Sequence, residues 1–240
     1  MSLIHTLFFA LYFFLLLVLF VASLYFLKIF LHLLGRKELY GRLVMKIVSR
    51  WGRMVLWGSR TKIEIHGLEK LPDTDKLCFV SNHQSYADIP LILGFIPKNT
   101  GFVAKIELLK IPLLSFGMKT INCVFLDRRN VRQAFASINQ GAENIRAGIP
   151  MVIFPEGTRS KKKEMSKFLA GSLKMALLSD ATVVPLTVDG SYKALEEKGK
   201  IAPATVKLYI HPPIDLSKLS REEKKKLPQI LWEIIASSLS

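Results

Sequence analysis

Residues 7–27 carry no charged side chain, and no other stretch limits the possible folds so tightly. At about 1.5 Å of rise per residue, a helix of this length covers roughly 30 Å, the thickness of a bilayer's hydrocarbon core. Leu and Phe occupy every side of it, which suits contact with lipid and not the surface of a soluble domain. A cleaved secretory leader fits poorly. No Lys or Arg precedes the run, it is longer than an ordinary leader core, and no clean small-residue cleavage pattern follows.

Positive charge then begins abruptly, with Lys28, Arg36, Arg42, Lys46, Arg50 and Arg53, in a chain whose formal net charge is +15. Cations placed directly after an apolar run read as a membrane-surface patch. The same bias puts the remainder of the chain on the cytoplasmic face of the cell membrane. A nucleic-acid protein would show zinc-finger spacing or a strand-binding aromatic motif. Neither is present, so no nucleic-acid partner is expected. Residues 38–57 place Leu43, Val44, Ile47, Val48 and Trp51 at helical spacing, beside a stripe of Arg42, Lys46, Arg50 and Arg53. Such a helix lies at the membrane interface with its cations on lipid phosphates, or packs its apolar face into a core. The first helix either spans the bilayer or pairs with the second and dips into one leaflet. Residues 1–60 are therefore expected to form a membrane-anchoring helix pair, and residues 61–240 a separate domain.

From Thr61 the period shortens. Residues 61–66 alternate like a strand, and apolar or β-branched runs recur at 76–80, 101–104, 121–126, 151–154, 182–188 and 205–210. Helical patterns at 89–95, 131–147 and 171–178 fall between several of them. Ser220 and Glu223 form a capping box for a final helix, which Pro228 should kink or restart. Alternation of this kind predicts an α/β domain with a mixed, largely parallel sheet flanked by helices. Cys78 and Cys123 form no disulfide framework and read as buried small hydrophobes. The five histidines lack metal-ligand spacing, so no metal is expected.

Two stretches carry chemistry. His83 and Asp88 lie five positions apart, which on a helix separates their side chains by about 140°. They meet only if His83 sits on a turn leaving the strand at 76–80 and Asp88 opens the next helix, a placement that Pro90 supports. Asp88 would then fix one imidazole nitrogen and leave the other as a base. A satisfied turn histidine with an N-capping Asp reads equally well from these residues alone. Ser85, two residues from His83, is not taken as a nucleophile. The second stretch, Phe154-Pro155-Glu156-Gly157-Thr158-Arg159-Ser160, ends a buried strand at Pro155. Gly157 permits a tight turn whose amides can face an anion, and Arg159 can hold phosphate through two bonds. Glu156 repels phosphate, so it belongs on a substrate hydroxyl or in loop-holding hydrogen bonds. An ordinary strand exit with an exposed Arg is the alternative.

Together these stretches resemble the glycerolipid acyltransferase family, most closely its lysophosphatidic acid acyltransferases. Asn82-His83 through Asp88 is similar to that family's first motif, a histidine and an aspartate separated by four residues. Phe154 through Ser160 matches its third. Val124-Phe125-Leu126-Asp127-Arg128-Arg129 resembles the second, although Asn122 stands near a common Gly, and Val184-Pro185-Leu186 resembles the fourth. Ala104-Lys105-Ile106-Glu107-Leu108 is similar to a further segment whose Lys lies near the substrate phosphate. The likeness covers about residues 65–188, in order.

The resemblance implies transfer of a fatty acyl group from a thioester to the free 2-hydroxyl of lysophosphatidic acid, giving phosphatidic acid. The donor is acyl-coenzyme A or acyl carrier protein, with no further cofactor. His83 is the expected base, steadied by Asp88. Lys105, Arg128 and Arg159 are expected on the phosphate, with Glu156, Gly157 and Thr158 shaping the acceptor pocket. Backbone amides around the His83 turn are the expected oxyanion donors. For Asp127 and Arg128 the alternative is a structural ion pair. Two rival functions remain: a relative acting on glycerol-3-phosphate or another lysophospholipid, and a non-catalytic basic membrane-binding protein.

Overall fold

The computed structural model describes residues 3–169 and 171–239. Helix α1 (Leu3–Leu33) is continuous for about 45 Å, and is the one described helix long and apolar enough to cross a membrane. It packs lengthwise on the rest of the molecule. Leu17, Phe20 and Leu24 enter the main core, while Phe8, Leu11, Leu15, Leu19 and Phe26 stay exposed on the far side. Near its start, the Thr6 hydroxyl accepts a bond from the Ile201 amide at 3.2 Å.

Helix α2 (Tyr40–Gly58) turns its apolar stripe inward, so that Val44, Val48 and Leu56 join the same core. Gly52 lets the next helix, α3 (Asp88–Phe95), approach its backbone. A Cβ there would lie 2.5 Å from the Pro90 carbonyl oxygen and 2.9 Å from the Gly94 nitrogen. Of the two readings of residues 38–57, the apolar face follows the core-packing one. What remains outside is the cationic stripe of Arg42, Lys46, Arg50 and Arg53, with Met54 and Trp57 beside it.

The sheet comprises β1 (Thr61–His66), β2 (Leu77–Ser81), β3 (Gly101–Lys105), β4 (Val124–Leu126), β5 (Met151–Ile153), β6 (Thr182–Asp189), β7 (Ala204–Ile210) and β8 (Ile214–Asp215). Its order is β1-β7-β6-β2-β5-β3-β4, with β8 paired to β6. The run β6-β2-β5-β3-β4 is parallel throughout, while β7 and β8 are antiparallel to β6. The expected mixed, largely parallel sheet is therefore present. Leu77 and Phe79 of β2 face the core under α1 to α3 and α4 (Pro112–Thr120). Cys78 and Val80 face a second core under α5 (Val131–Arg146), α6 (Lys174–Ser179) and α7 (Arg221–Ala236). With both faces covered, central strands read as continuous apolar runs.

Two expectations about elements are corrected. The strand expected at 121–126 begins only at Val124, because Asn122 adopts φ 58°, a left-handed conformation that Asn tolerates better than most residues. Of the two outcomes expected at Pro228, a restart does not occur, and helix α7 runs on through it. The proline lies on its exposed face, where water can satisfy the carbonyl left without an amide partner. The Ser220–Glu223 capping box is present, with both reciprocal bonds.

Candidate active site

Because β6, β2, β5, β3 and β4 are parallel, their carboxyl ends lie along one edge of the sheet, where open α/β sheets bind ligands. The motifs leave from those ends: His83 after β2, Glu156 to Arg159 after β5, Lys105 at the end of β3, and Arg128 after β4. Motif residues from His83 to Arg159 thereby line one cavity of about 880 Å³. His83, Lys105, Arg128, Gly157, Thr158 and Arg159 all contribute to its wall. The remainder is mostly apolar and draws on both sides of the sheet, with Phe20, Trp51 and Met118 on one side and Ile138 and Met175 on the other.

The His83 turn is held from every direction. Asn82, fully buried, exchanges two 2.8 Å bonds with the backbone of Val188, donating to its carbonyl and accepting from its amide. Asp88 opens α3 and is fully buried. Its Oδ2 accepts from His83 Nδ1 at 2.7 Å, from the Gln84 amide at 2.8 Å and from the Ser85 amide at 3.0 Å. A carboxylate only accepts, so the shared proton belongs to Nδ1, and in the neutral imidazole this tautomer leaves the lone pair on Nε2. Nε2 makes no hydrogen bond among the described residues. The ring stacks on Phe154 with centroids 4.0 Å apart. Gln84 ties in the neighbouring loops, donating to the Lys163 carbonyl at 3.3 Å and accepting from the Gly190 amide at 3.0 Å.

The amides of this turn are not available as oxyanion donors, which overturns that expectation. His83 donates its amide to Glu156 and Tyr86 to Glu196, Ala87 donates to the Ser85 hydroxyl, and Asp88 donates to the Ser85 carbonyl. Gln84 and Ser85 are spent on Asp88. The turn uses its donors to hold its own shape. The Ser85 hydroxyl, fully buried and accepting from Ala87, is not presented as a nucleophile.

Glu156 holds the loop. One oxygen accepts from the His83 amide and the other from the Ser166 amide, both at 2.7 Å. Burial pushes its carboxyl above the usual range, against those two bonds, which lower it. Gly157 has φ 75°, a left-handed conformation that strains other residues, and a Cβ there would displace the side-chain ends of Leu169 and of Arg128, whose Nη1 lies 2.8 Å away. Arg128 therefore lies against the third-motif turn. It forms no ion pair with Asp127, whose carboxylate accepts from the Arg129 amide at 2.9 Å. Lys105 and Arg128 are exposed and have no ion-pair partner among the described residues. Arg159 differs: it pairs with Glu196 at 2.9 Å and stacks over Tyr86. Glu196 sits in a short charged stretch, 196–200, with no pattern to single it out. Cys78 and Cys123 are free and buried, and burial pushes the Cys123 thiol up to about 12, so neither offers a thiolate.

Residues 62–189 match the model of the family described as Acyltransferase. The chain belongs to the acyltransferase family. It is 32% identical over 206 residues to the probable 1-acyl-sn-glycerol-3-phosphate acyltransferase of Mycoplasma pneumoniae, covering 80% of this chain and 77% of that protein. It is 33% identical over 185 residues to the chloroplastic 1-acyl-sn-glycerol-3-phosphate acyltransferase LPAT1 of Arabidopsis thaliana. That match covers 72% of this chain but only 52% of the plant protein. The crystal structure of the 1-acyl-sn-glycerophosphate (LPA) acyltransferase PlsC from Thermotoga maritima superposes with a TM-score of 0.86 at 29% identity. It covers 98% of this chain and 95% of that one, so the likeness includes the N-terminal helices of this acyltransferase.

Proposed function

We propose that this acyltransferase moves a fatty acyl group from a thioester to the 2-hydroxyl of lysophosphatidic acid, forming phosphatidic acid. The observation that carries the proposal is the His83–Asp88 pair at 2.7 Å, with His83 in the wall of the cavity that also receives Lys105, Arg128 and Arg159 and Asp88 buried behind it. Nε2 of His83 takes the proton as the hydroxyl oxygen attacks the thioester carbonyl carbon. Asp88 stabilises the imidazolium that results. The tetrahedral oxyanion collapses, the carbon–sulfur bond breaks, and the leaving thiolate takes the proton back from His83. The amides of Thr158 and Arg159, which donate to nothing among the described residues, are the candidate oxyanion donors. Lys105 and Arg128 meet the acceptor's phosphate together with Arg159. The apolar walls take the chains of acceptor and donor.

The donor in this reading is acyl-coenzyme A or acyl carrier protein, and the reaction calls for no other cofactor. The exposed face of α1 enters one leaflet on the cytoplasmic side, and the cations of α2 meet headgroup phosphates. Supporting this over a free-standing span, α1 is packed along the domain from Thr6 to Leu31. Keeping lipid substrates in the membrane avoids exposing acyl chains, at about 0.8 kcal/mol per methylene.

The test is a mass-spectrometric product assay with lysophosphatidic acid, glycerol-3-phosphate and other lysophospholipids, each offered with acyl-coenzyme A and acyl carrier protein thioesters. Diacyl product from lysophosphatidic acid is expected, with little from the other acceptors. Preferred turnover of glycerol-3-phosphate, or of an acceptor lacking a phosphate monoester, would contradict the proposal.

A further inference from the structure

The three cations of the site are not equivalent. Arg159 Nη1 donates to Glu196 Oε1 at 2.9 Å, and the same oxygen accepts from the Tyr86 amide at 3.0 Å. The guanidinium carbon lies 3.4 Å from the centroid of the Tyr86 ring. Glu196 is only 4% exposed at its side chain, and its Oε2 is buried with no partner among the described residues. One carboxylate thus joins the His83 turn to the third-motif loop, reaching in from the β6–β7 connection. That connection is itself fixed at both ends. Gly190 and Ser191 bond to Gln84 at one end, and the Ile201 amide bonds to Thr6 of α1 at the other.

A guanidinium has two faces and a fork of coplanar N–H donors. Here one face rests on Tyr86 and Nη1 is committed to Glu196. The donors still free therefore point in a direction set before any ligand arrives. An unpaired Arg would attract phosphate more strongly at long range, but would have to be ordered on binding. A braced one gives up charge in exchange for orientation.

We propose that Glu196 is a positioning residue for headgroup recognition: together with Tyr86 it locks Arg159 so that its free N–H edge faces the acceptor's phosphate. This rests on the reading of Arg159 as a phosphate ligand. It assigns Glu196, and through it the 191–201 segment, to acceptor selection and not to proton transfer.

The test is steady-state kinetics on the full chain in vesicles, with lysophosphatidic acid varied at saturating acyl-coenzyme A. Glu196→Ala is expected to raise the acceptor KM about tenfold, leaving kcat and the donor KM within about twofold. Glu196→Gln keeps an oxygen that can accept from both Arg159 and Tyr86, and should recover most of the loss. In an Arg159→Ala background, Glu196→Ala should add less than about a twofold effect, because the group it positions is gone. An unchanged acceptor KM in Glu196→Ala would overturn the proposal. So would a lowered KM, or a full tenfold loss persisting without Arg159. If Glu196→Ala fails to fold, Glu196→Leu, which keeps the volume and removes both accepting oxygens, decides: a rise in acceptor KM that disappears in the Arg159→Ala background supports the brace, and a wild-type KM refutes it. Wild-type enzyme that does not acylate lysophosphatidic acid sinks the functional reading; active wild type with an indifferent Glu196→Ala sinks only the positioning role.

Discussion

The His83 turn and the rim bearing Lys105 and Arg128 solve opposite problems within one cavity. In the turn, each amide from His83 to Asp88 is committed, Asn82 and Asp88 are fully buried, and Phe154 fixes the ring plane. On the rim, two long cationic side chains stand exposed without ion-pair partners among the described residues. A base must present one nitrogen in one tautomer, and small angular errors cost rate steeply. A phosphate carries its charge on three oxygens and can be met from several directions, so these two mobile cations can capture it from a Debye length of roughly 8–10 Å away, while the braced Arg159 orients it on arrival. Rigid backbone chemistry is thus spent where orientation matters, and charge where capture matters.

The sharpest way to break this contrast is Asp88→Asn. The amide can present its NH₂ to the imidazole, favouring the wrong tautomer, so kcat should fall by about 10³- to 10⁴-fold in single-turnover assays. A loss below about tenfold would mean that the brace is dispensable. Lys105→Ala and Arg128→Ala should each raise the acceptor KM by about tenfold and flatten its salt dependence, while the melting temperature stays put. A large fall in kcat from either would place a rim cation in the chemical step. Asn82→Ala should cost about 2 kcal/mol of stability, because the buried Val188 amide and carbonyl lose their partners. By chemical denaturation, Lys105→Ala should lie within about 0.5 kcal/mol of wild type. Equal costs would erase the distinction between turn and rim.

The smallest effect lies outside both regions. Burial, with a lesser push from Lys70, holds His211 below its usual 6.5, so the folded state binds its proton less readily than the unfolded chain does. Its contribution to stability is therefore full above pH 6.5 and is lost as pH falls through the lowered value. Melting curves from pH 7.5 to 5 should show this loss, and His211→Gln should flatten it. An unchanged profile in that variant would assign the acid sensitivity elsewhere.

The contrast also explains what could be read from the sequence. The strand-turn-helix path that brings His83 to Asp88 was legible from the apolar run before them and from Pro90, while their pairing as base and brace rested on the family resemblance. The parallel sheet followed from the alternation of short apolar runs with helical periods, and it is this sheet that gathers Lys105, Arg128 and Arg159. Hydrogen bonding is written in no period. That the turn consumes its own amides, and so supplies no oxyanion donor, depends on Glu156 and Glu196 arriving from distant loops. The inward turn of the α2 stripe depends on Gly52 meeting α3, which spacing within one helix cannot reveal. Asn122 interrupted a strand by a backbone angle alone.

The central claim is that the free nitrogen of His83 takes the hydroxyl proton. It is tested most directly by measuring phosphatidic acid formation from lysophosphatidic acid and an acyl thioester with His83→Ala, alongside wild type, in the same vesicles. The account predicts a loss of about 10³-fold or more in turnover, with the melting temperature and vesicle binding retained. Turnover within a few-fold of wild type would contradict it.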